Sequence, residues 1–303
     1  MAHYDLALIG TGSGNTILDE RYRDKSIAIC EQGVFGGTCL NVGCIPTKMF
    51  VYAAENARDS SRFGVDARVE GVRWPEIVSR IFGRMDPLSI GGANYRRASP
   101  NVTVYDQHTR FGPVTVDGRD TLRVDGGEEF TASQVVIAAG SRAVVPPAIA
   151  ESGIDYHTSD TIMRIAELPE HLLIVGGGYV AAEFAHIFSS LGSHVTLLIR
   201  GSAMLTGHDD TITERFSDIA AKNGRSTTTQ RWSVAAESPT ASSCDSRTGR
   251  RCAVTRCWWP PGGCPTGIGS TPSRPASRCA ATDGSSSAST SAPPPAGFSR
   301  SAT

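Results

Sequence analysis

Two cysteines with four residues between them are the part of this sequence best suited to chemistry. Cys39 and Cys44 lie in the string Gly36-Gly37-Thr38-Cys39-Leu40-Asn41-Val42-Gly43-Cys44-Ile45-Pro46-Thr47-Lys48. A thiol pair at this spacing can close and reopen a disulfide, but the spacing alone is more often that of two buried thiols. The neighbouring elements must therefore decide whether the pair is redox-active.

A dinucleotide-binding pattern precedes the cysteines. Residues 4–9 read as a buried parallel strand, and Gly10-Thr11-Gly12-Ser13-Gly14-Asn15 leads from it into a helix predicted over 16–23. The glycines let backbone N–H groups approach a pyrophosphate, which the helix dipole favours. Asn15 replaces the usual third glycine. Glu31 follows the next strand, 26–30, and is placed to accept hydrogen bonds from a ribose, although an acid at a strand end is often only solvated.

A second fingerprint lies between strands predicted over 171–175 and 194–199. It reads Gly176-x-Gly178-x-x-Ala181 and stands at a strand-to-helix junction. Two such units imply two dinucleotides, most simply FAD and NAD(P)H. Arg200 ends the later strand where a 2′-phosphate would lie, which favours NADPH over NADH.

Further elements complete an α/β chain. Helices are predicted over 49–62 and 72–97, the second broken at Pro87 and Gly91-Gly92, and alternation over 101–124 predicts antiparallel strands. The strand over 134–140 ends in the small residues Ala139 and Gly140, which let the chain pass close to a ligand. The fold class is two Rossmann-like dinucleotide-binding domains, the second incomplete. The FAD-binding domain with its redox pair spans 1–150, and the start of the NAD(P)H-binding domain spans 151–225.

Bulk properties exclude several classes of protein. The formal net charge of -1 offers no basic surface for nucleic acid or an anionic membrane. No segment has the roughly 20 apolar residues that span a bilayer, so we expect a cytoplasmic protein with small-molecule partners. The cysteines beyond residue 240 lack Cys-x2-Cys spacing and have no histidine nearby, so no metal site is predicted.

Residues 1–225 resemble the FAD-dependent pyridine-nucleotide disulfide reductases, the class I disulfide oxidoreductases. Within that family the strings most similar to mycothione reductases are residues 12–15, 18–22, 46–54 and 101–105. The resemblance implies a path from NADPH through FAD to a Cys39–Cys44 disulfide, and then to a low-molecular-weight disulfide substrate. It implies that Cys44 faces the flavin as a charge-transfer thiolate and that Cys39 attacks the substrate.

The resemblance also assigns neighbouring residues. Lys48 matches the family lysine near the flavin, and Glu183 matches its carboxylate partner. Tyr179 matches the residue that covers the flavin until nicotinamide displaces it. Gly37 and Thr38, immediately before Cys39, join the cofactor-binding residues.

The sequence departs from the family in three places. A second arginine for the 2′-phosphate would fall at Thr206, and no His-Pro pair, the source of the family's acid-base histidine in a dimerisation domain, occurs in the sequence. From residue 226 the sequence contains no leucine, which predicts a disordered, low-complexity tail over 226–303. When the codons for residues 257–266 and 297–303 are read one nucleotide earlier, the shifted frame permits two motifs of the same family.

A frameshift near residues 223–226 is therefore the preferred explanation of the tail, and nucleotide sequencing across those codons tests it. On this interpretation the parent enzyme is a homodimer, and we expect the chain as written to be inactive. Two alternatives stay open: a mercuric reductase or dihydrolipoamide dehydrogenase type of enzyme, and a non-catalytic flavin-binding protein with a genuine tail.

Overall fold

The structure is a computed structural model. It describes residues 1–59, 64, 66, 68–112, 120–199, 203–224, 232–236 and 251–254, with the backbone alone at 222–224, 232–236 and 251–254. Two β-sheets and the helices around them make up this part of the chain.

The first sheet has six strands. They are β1 (Ala2–Ile9), β2 (Ile27–Cys30), β3 (Val102–Tyr105), β4 (Thr109–Phe111), β5 (Thr121–Val124) and β6 (Glu129–Ile137). Their order is β3-β2-β1-β6-β5-β4. The first four strands in this order run parallel, whereas β4 with β5 and β5 with β6 are antiparallel. The second half of β1 and the whole of β2 are apolar and buried, as is typical of parallel strands with both faces covered.

The second sheet is parallel throughout. Its strands are β7 (Tyr156–Thr158), β8 (His171–Val175), β9 (His194–Ile199), β10 (Trp232–Ala236) and β11 (Arg251–Val254), in the order β10-β9-β8-β11-β7. Two parallel-dominated sheets confirm the predicted α/β class. Strands β10 and β11 lie beyond residue 225, where the sequence predicts a disordered tail; the domain boundaries stay a prediction.

Within the described residues, six α-helices connect and cover the strands. They are α1 (Gly37–Asn41), α2 (Cys44–Arg58), α3 (Trp74–Ala98), α4 (Pro147–Ala150), α5 (Tyr179–Ser190) and α6 (Asp210–Gly224). The predicted break in α3 is wrong, because the helix runs on through Pro87 and Gly91-Gly92. Buried side chains lie on both sides of Pro87, among them Phe82, Met85, Ser89 and Ala93, so packing holds the helix together across the proline.

Two other predictions need correction. The helix expected over 16–23 consists of two 3-10 turns, Ser13–Ile17 and Glu20–Tyr22. Asp19 separates them, since its side chain accepts a hydrogen bond from the Arg21 N–H and begins the second turn. Strand β3, expected to be antiparallel, pairs in parallel with β2. Only the strands after it form antiparallel pairs.

An apolar cluster joins α2, α3 and α5 beneath the second sheet. Phe50 stacks on Trp74 with ring centroids 5.1 Å apart, and Trp74 lies 5.3 Å from Phe188. All three rings are almost fully buried, and burial of each contributes about 1.5–3 kcal/mol. The Trp74 indole N–H donates to the Ile165 carbonyl at 2.8 Å, so its one polar atom is satisfied. This cluster fixes the helix that begins at Cys44 against the helix that begins at Tyr179.

No helix in the described part of the chain is long and apolar enough to cross a membrane.

Candidate functional site

A cleft of about 920 Å³ opens at the carboxyl ends of the central strands of the first sheet. It brings together most of the residues that the sequence assigns to the first cofactor: Gly10, Gly12, Ser13, Gly14, Glu31, Gly37, Thr38, Ala139 and Gly140. Cys39 and Cys44 line the same cleft. Its volume lies within the ~300–1,000 Å³ typical of ligand pockets.

The first glycine turn is built so that the chain can pass very close to β6. Gly10 has φ +101°, and a Cβ added there would lie 2.2 Å from the Ala138 carbonyl oxygen. A Cβ on Gly14 would lie 2.2 Å from the Ala138 Cβ. Larger residues would push the glycine turn, residues 10–14, away from Ala138 and fill the cradle that these two segments form at the cleft. Only a 3-10 turn follows the glycines, so the dipole of a long helix does not act at this turn, and its contact with a phosphate stays a prediction.

Glu31 organises this turn from within. Its Oε2 accepts hydrogen bonds from the Thr11 N–H at 3.1 Å and the Thr11 hydroxyl at 2.6 Å, and its Oε1 accepts from the Gly33 N–H at 2.9 Å. The Thr11 Oγ1 in turn accepts from the Gly36 N–H at 3.0 Å. The acid therefore ties the first turn to the segment that leads to the cysteines. Its contact with a ribose stays a prediction.

A second pair of glycines places the cysteines beside the first turn. Gly36 and Gly37 have φ +102° and +69°, and a Cβ on Gly37 would lie 2.4 Å from the Gly12 Cα. This approach starts α1, which carries Cys39, directly against the cofactor turn. Gly43 then caps α2, so that Cys44 is its first residue. A helix N-terminus favours negative charge at that position.

Cys39 and Cys44 are both free thiols, Cys39 partly buried and Cys44 exposed. A hydrogen bond to the Cys44 side chain, followed by partial burial, raises the pKa of the Cys39 thiol. The Cys39 thiol therefore loses its proton less readily than an ordinary cysteine. The arrangement is that of a dithiol able to share a single negative charge.

A third thiol lines the cleft but is chemically different. Cys30 ends β2 and is 2% exposed. Burial raises its pKa to about 11, partly offset by a hydrogen bond with Thr109. At neutral pH this thiol is protonated and inert.

Lys48 and Glu183 meet as the resemblance implies. The Lys48 Nζ lies 2.6 Å from the Glu183 Oε1, which joins α2 to α5. The lysine side chain is 67% exposed and the glutamate 32%. Lys48 lies one turn after Cys44 and lines a separate groove of about 490 Å³ with Cys44, Ile45, Met49, Tyr52 and Arg80. It does not line the larger cleft.

A histidine extends the same helix contact. His186 lies one turn beyond Glu183, and its Nδ1 is 3.3 Å from the Arg58 Nη1 on α2. Burial, and then the charge of Arg58, lowers the pKa of His186. The imidazole is therefore held neutral, with Nδ1 as the acceptor.

The second fingerprint has the predicted strand, turn and helix. Gly176 follows β8 with φ +135°, Gly178 caps α5, and Ala181 is fully buried against the sheet. Tyr179 begins α5 with 59% of its surface exposed. The Gly177 carbonyl accepts from the Leu205 N–H at 2.7 Å, and Leu205 itself has φ +58°. Arg200 lies outside the described residues, so its contact with a 2′-phosphate stays a prediction.

Several residues that line the cleft belong to no motif recognisable in the sequence. Asn15 belongs to the fingerprint but does not line the cleft, whereas Asn41, Gln107, Arg142 and Asp160 do. Asn41 lies between the two cysteines of the Cys-x4-Cys string, and this position is the one sequence feature that indicates a place in the cleft. The others come from loops whose place depends on the tertiary fold.

Comparison with known proteins agrees with this geometry. A family described as pyridine nucleotide-disulphide oxidoreductase matches residues 4–249. Mycothione reductase of Mycobacterium tuberculosis (strain CDC 1551 / Oshkosh) is 68% identical over 224 residues, which cover 73% of this chain and 49% of that protein. Mercuric reductase of Streptomyces lividans is 36% identical over 231 residues, covering 73% and 48%.

A solved structure is also similar. The Cu(II) complex of the HOCl-induced flavoprotein disulfide reductase RclA from Escherichia coli superposes with a TM-score of 0.62 at 27% identity, covering 78% of this chain and 50% of that chain. The chain thus spans about half the length of the relatives that it matches.

Proposed function

The chain belongs to the pyridine nucleotide-disulphide oxidoreductases, and from this premise we propose that it carries the cofactor cradle and redox dithiol of a flavoprotein disulfide reductase. One observation carries the proposal: Cys39 and Cys44 line the same cleft as the glycine turn of the first dinucleotide fingerprint. FAD, when bound, accepts a hydride from NADPH and delivers two electrons to a disulfide.

The residues present fit FAD. A Cβ on Gly10, Gly14 or Gly37 would fall within 2.4 Å of the facing segment, so the cradle requires glycine where a pyrophosphate must come close. Glu31 lines the cleft at the same edge, and its Oε1, which accepts one hydrogen bond from the Gly33 N–H, would accept another from a ribose hydroxyl. Lys48 lies in the neighbouring groove, which shares Cys44 with the cleft, and we propose that its charge stabilises the reduced cofactor from there.

The dithiol then reduces a substrate disulfide in two exchanges. The Cys39 sulfur, as thiolate, attacks one sulfur of the substrate, forms a mixed disulfide and releases the first substrate thiolate. The Cys44 thiolate attacks the Cys39 sulfur, closes the Cys39–Cys44 disulfide and releases the second. Two protons convert the products to thiols. The hydrogen bond to Cys44 raises the pKa of Cys39, so the first attack requires removal of the Cys39 proton.

A mycothione-like disulfide is the substrate that we propose. The chain is 68% identical to a mycothione reductase, against 36% for a mercuric reductase and 34% for a dihydrolipoyl dehydrogenase. The preference for NADPH and the homodimeric parent enzyme belong to the same proposal.

Spectroscopy of the purified chain tests the dithiol. The chain is loaded with FAD and reduced anaerobically with dithiothreitol, which produces a long-wavelength band if a thiolate lies against the flavin. Cys44→Ser should abolish the band and Cys39→Ser should keep it. Cys30→Ser is the matched control, since Cys30 also lines the cleft but is buried and inert. Equal bands in the two pair variants would overturn the assigned roles.

Trapping experiments test the substrate. In Cys44→Ser, incubation with the disulfide of mycothiol should leave a mixed disulfide on Cys39 that mass spectrometry detects, because the resolving thiol is gone. Oxidised glutathione should react more slowly. Faster trapping of glutathione would contradict the mycothione-like substrate while leaving the disulfide reductase intact.

A further inference from the structure

Asn41 is a buried amide whose orientation the chain fixes completely. It ends α1, between the two cysteines, and is 6% exposed. Its Nδ2 donates to the Phe35 carbonyl and to the Gly37 carbonyl, both at 3.0 Å. Since both N–H bonds are used, the side-chain oxygen Oδ1 must face the other way.

That oxygen has no hydrogen-bond partner among the described residues, although it is fully buried. A buried acceptor without a donor costs free energy, and native proteins rarely leave one so. Asn41 also lines the cleft that holds the glycine turn and the dithiol. A donor supplied by a ligand in this cleft would satisfy the oxygen.

We propose that Asn41 is a binding residue whose Oδ1 accepts a hydrogen bond from a hydroxyl of the ribityl chain of FAD. The proposal rests on the proposed function. Gly37, which Asn41 holds through its carbonyl, lies against Gly12 of the pyrophosphate turn. Cys44, three residues after Asn41, is the thiol assigned to the flavin ring. The ribityl chain joins pyrophosphate to ring and carries the hydroxyl donors.

Two other residues separate this role from simple support of the turn. The Ser89 hydroxyl on α3 donates to the same Phe35 carbonyl at 2.5 Å, so Ser89 braces the turn without touching Oδ1. Asn101 uses its Nδ2 in the same manner, donating to the Tyr22 and Lys25 carbonyls at 3.0 and 2.8 Å. Asn101 is not among the residues that line the cleft.

Calorimetric titration of the full chain with FAD and with ADP tests the proposal. ADP carries the pyrophosphate but has no ribityl chain, so the ratio of the two Kd values, FAD over ADP, isolates contacts beyond the pyrophosphate. Asn41→Leu keeps the size of the side chain and removes the acceptor, and should raise this ratio about 10-fold. Asn41→Asp keeps an oxygen and repels both pyrophosphates alike, so its ratio should stay near that of the unsubstituted chain.

Ser89→Ala and Asn101→Leu should leave the ratio unchanged, and thermal melting of each apo variant reports folding separately. If Asn41→Leu does not melt cooperatively, Asn41→Ser carries the same comparison. An unchanged ratio in Asn41→Leu, or in Asn41→Ser where it replaces that variant, an equal loss of FAD and ADP there, or an equal rise in Ser89→Ala would overturn the direct contact. Failure of the unsubstituted chain to bind FAD would instead overturn the proposed function, and the inference with it.

Discussion

Substituting Gly10 by alanine separates backbone strain from close approach, because the chain contains a matched glycine. Gly10 has φ +101° and Gly127 has φ +96°, so an alanine at either position adopts an unfavourable backbone conformation. A Cβ on Gly10 would lie 2.2 Å from the Ala138 carbonyl oxygen, whereas a Cβ on Gly127 would meet nothing within 4 Å. The two variants therefore differ mainly in the contact with β6.

The expected loss of stability has two contributions: backbone strain at positive φ and the close contact of the added methyl group. Strain at positive φ costs about 1–3 kcal/mol in both variants. Forcing a methyl group against a backbone carbonyl that cannot rotate away costs roughly a further 1–3 kcal/mol in Gly10→Ala. We expect the free energy of unfolding of Gly10→Ala to lie below that of Gly127→Ala by this second amount.

Urea denaturation measures the difference, with the denaturant slope checked for equality between the variants. A ligand adds a second readout: FAD at 100 times its Kd should stabilise the unsubstituted chain and Gly127→Ala by about 2.7 kcal/mol. Gly10→Ala should gain less, since the displaced carbonyl lies at the wall of the cleft. Equal unfolding free energies for the two variants would refute the reasoning about close approach.

Three further predictions concern side chains near the site. Lys48→Gln should lower the free energy of unfolding by less than about 1 kcal/mol in urea, because the pair with Glu183 is largely exposed; a loss above about 1 kcal/mol, the upper end for exposed pairs, would contradict this. Burial lowers the folded-state pKa of His186 below the ordinary 6.5, so the unfolded chain binds more protons and the stability contribution is complete above pH 6.5 and lost as pH falls through the folded value. Unfolding free energies measured between pH 7 and 5 should therefore fall more steeply for the unsubstituted chain than for His186→Gln, and parallel curves would show that burial and the charge of Arg58 do not hold the imidazole neutral. Cys30, with a pKa of about 11, should stay unmodified by iodoacetamide at pH 8 while the cysteines of the pair react; mass spectrometry of the digested chain decides this.

The meeting of the first fingerprint residues at one cleft could be predicted from sequence because local rules determine it. A buried parallel strand followed by glycines places a turn at the carboxyl edge of a sheet, and the strand that ends at Glu31 must lie beside the strand that ends at Gly10. The structure pairs Ile9 with Cys30 and with Ile137, so three predicted strand ends reach the same edge. Adjacent parallel strands bring their ends together whatever the rest of the chain does.

Other features depend on contacts that no local pattern encodes. Pro87 and Gly91-Gly92 predict a break, yet α3 continues because its buried face holds it on both sides. The helix expected after Asn15 is replaced by 3-10 turns once the Asp19 side chain bonds to the Arg21 N–H. Here a side-chain hydrogen bond competes with the helical backbone and prevails.

The bracing of the cysteine segment shows most clearly what the sequence alone could not reveal. Ser89 lies 54 residues from Phe35, and its hydroxyl joins the Asn41 amide on one carbonyl just before the Gly36-Gly37 turn. Neither residue belongs to a pattern that predicts this meeting, since it requires α3 to run unbroken past Pro87. A helix interrupted there would leave Ser89 without a fixed position. The continuity of α3, which the sequence argues against, is therefore a condition for holding the turn that starts α1 and its thiol.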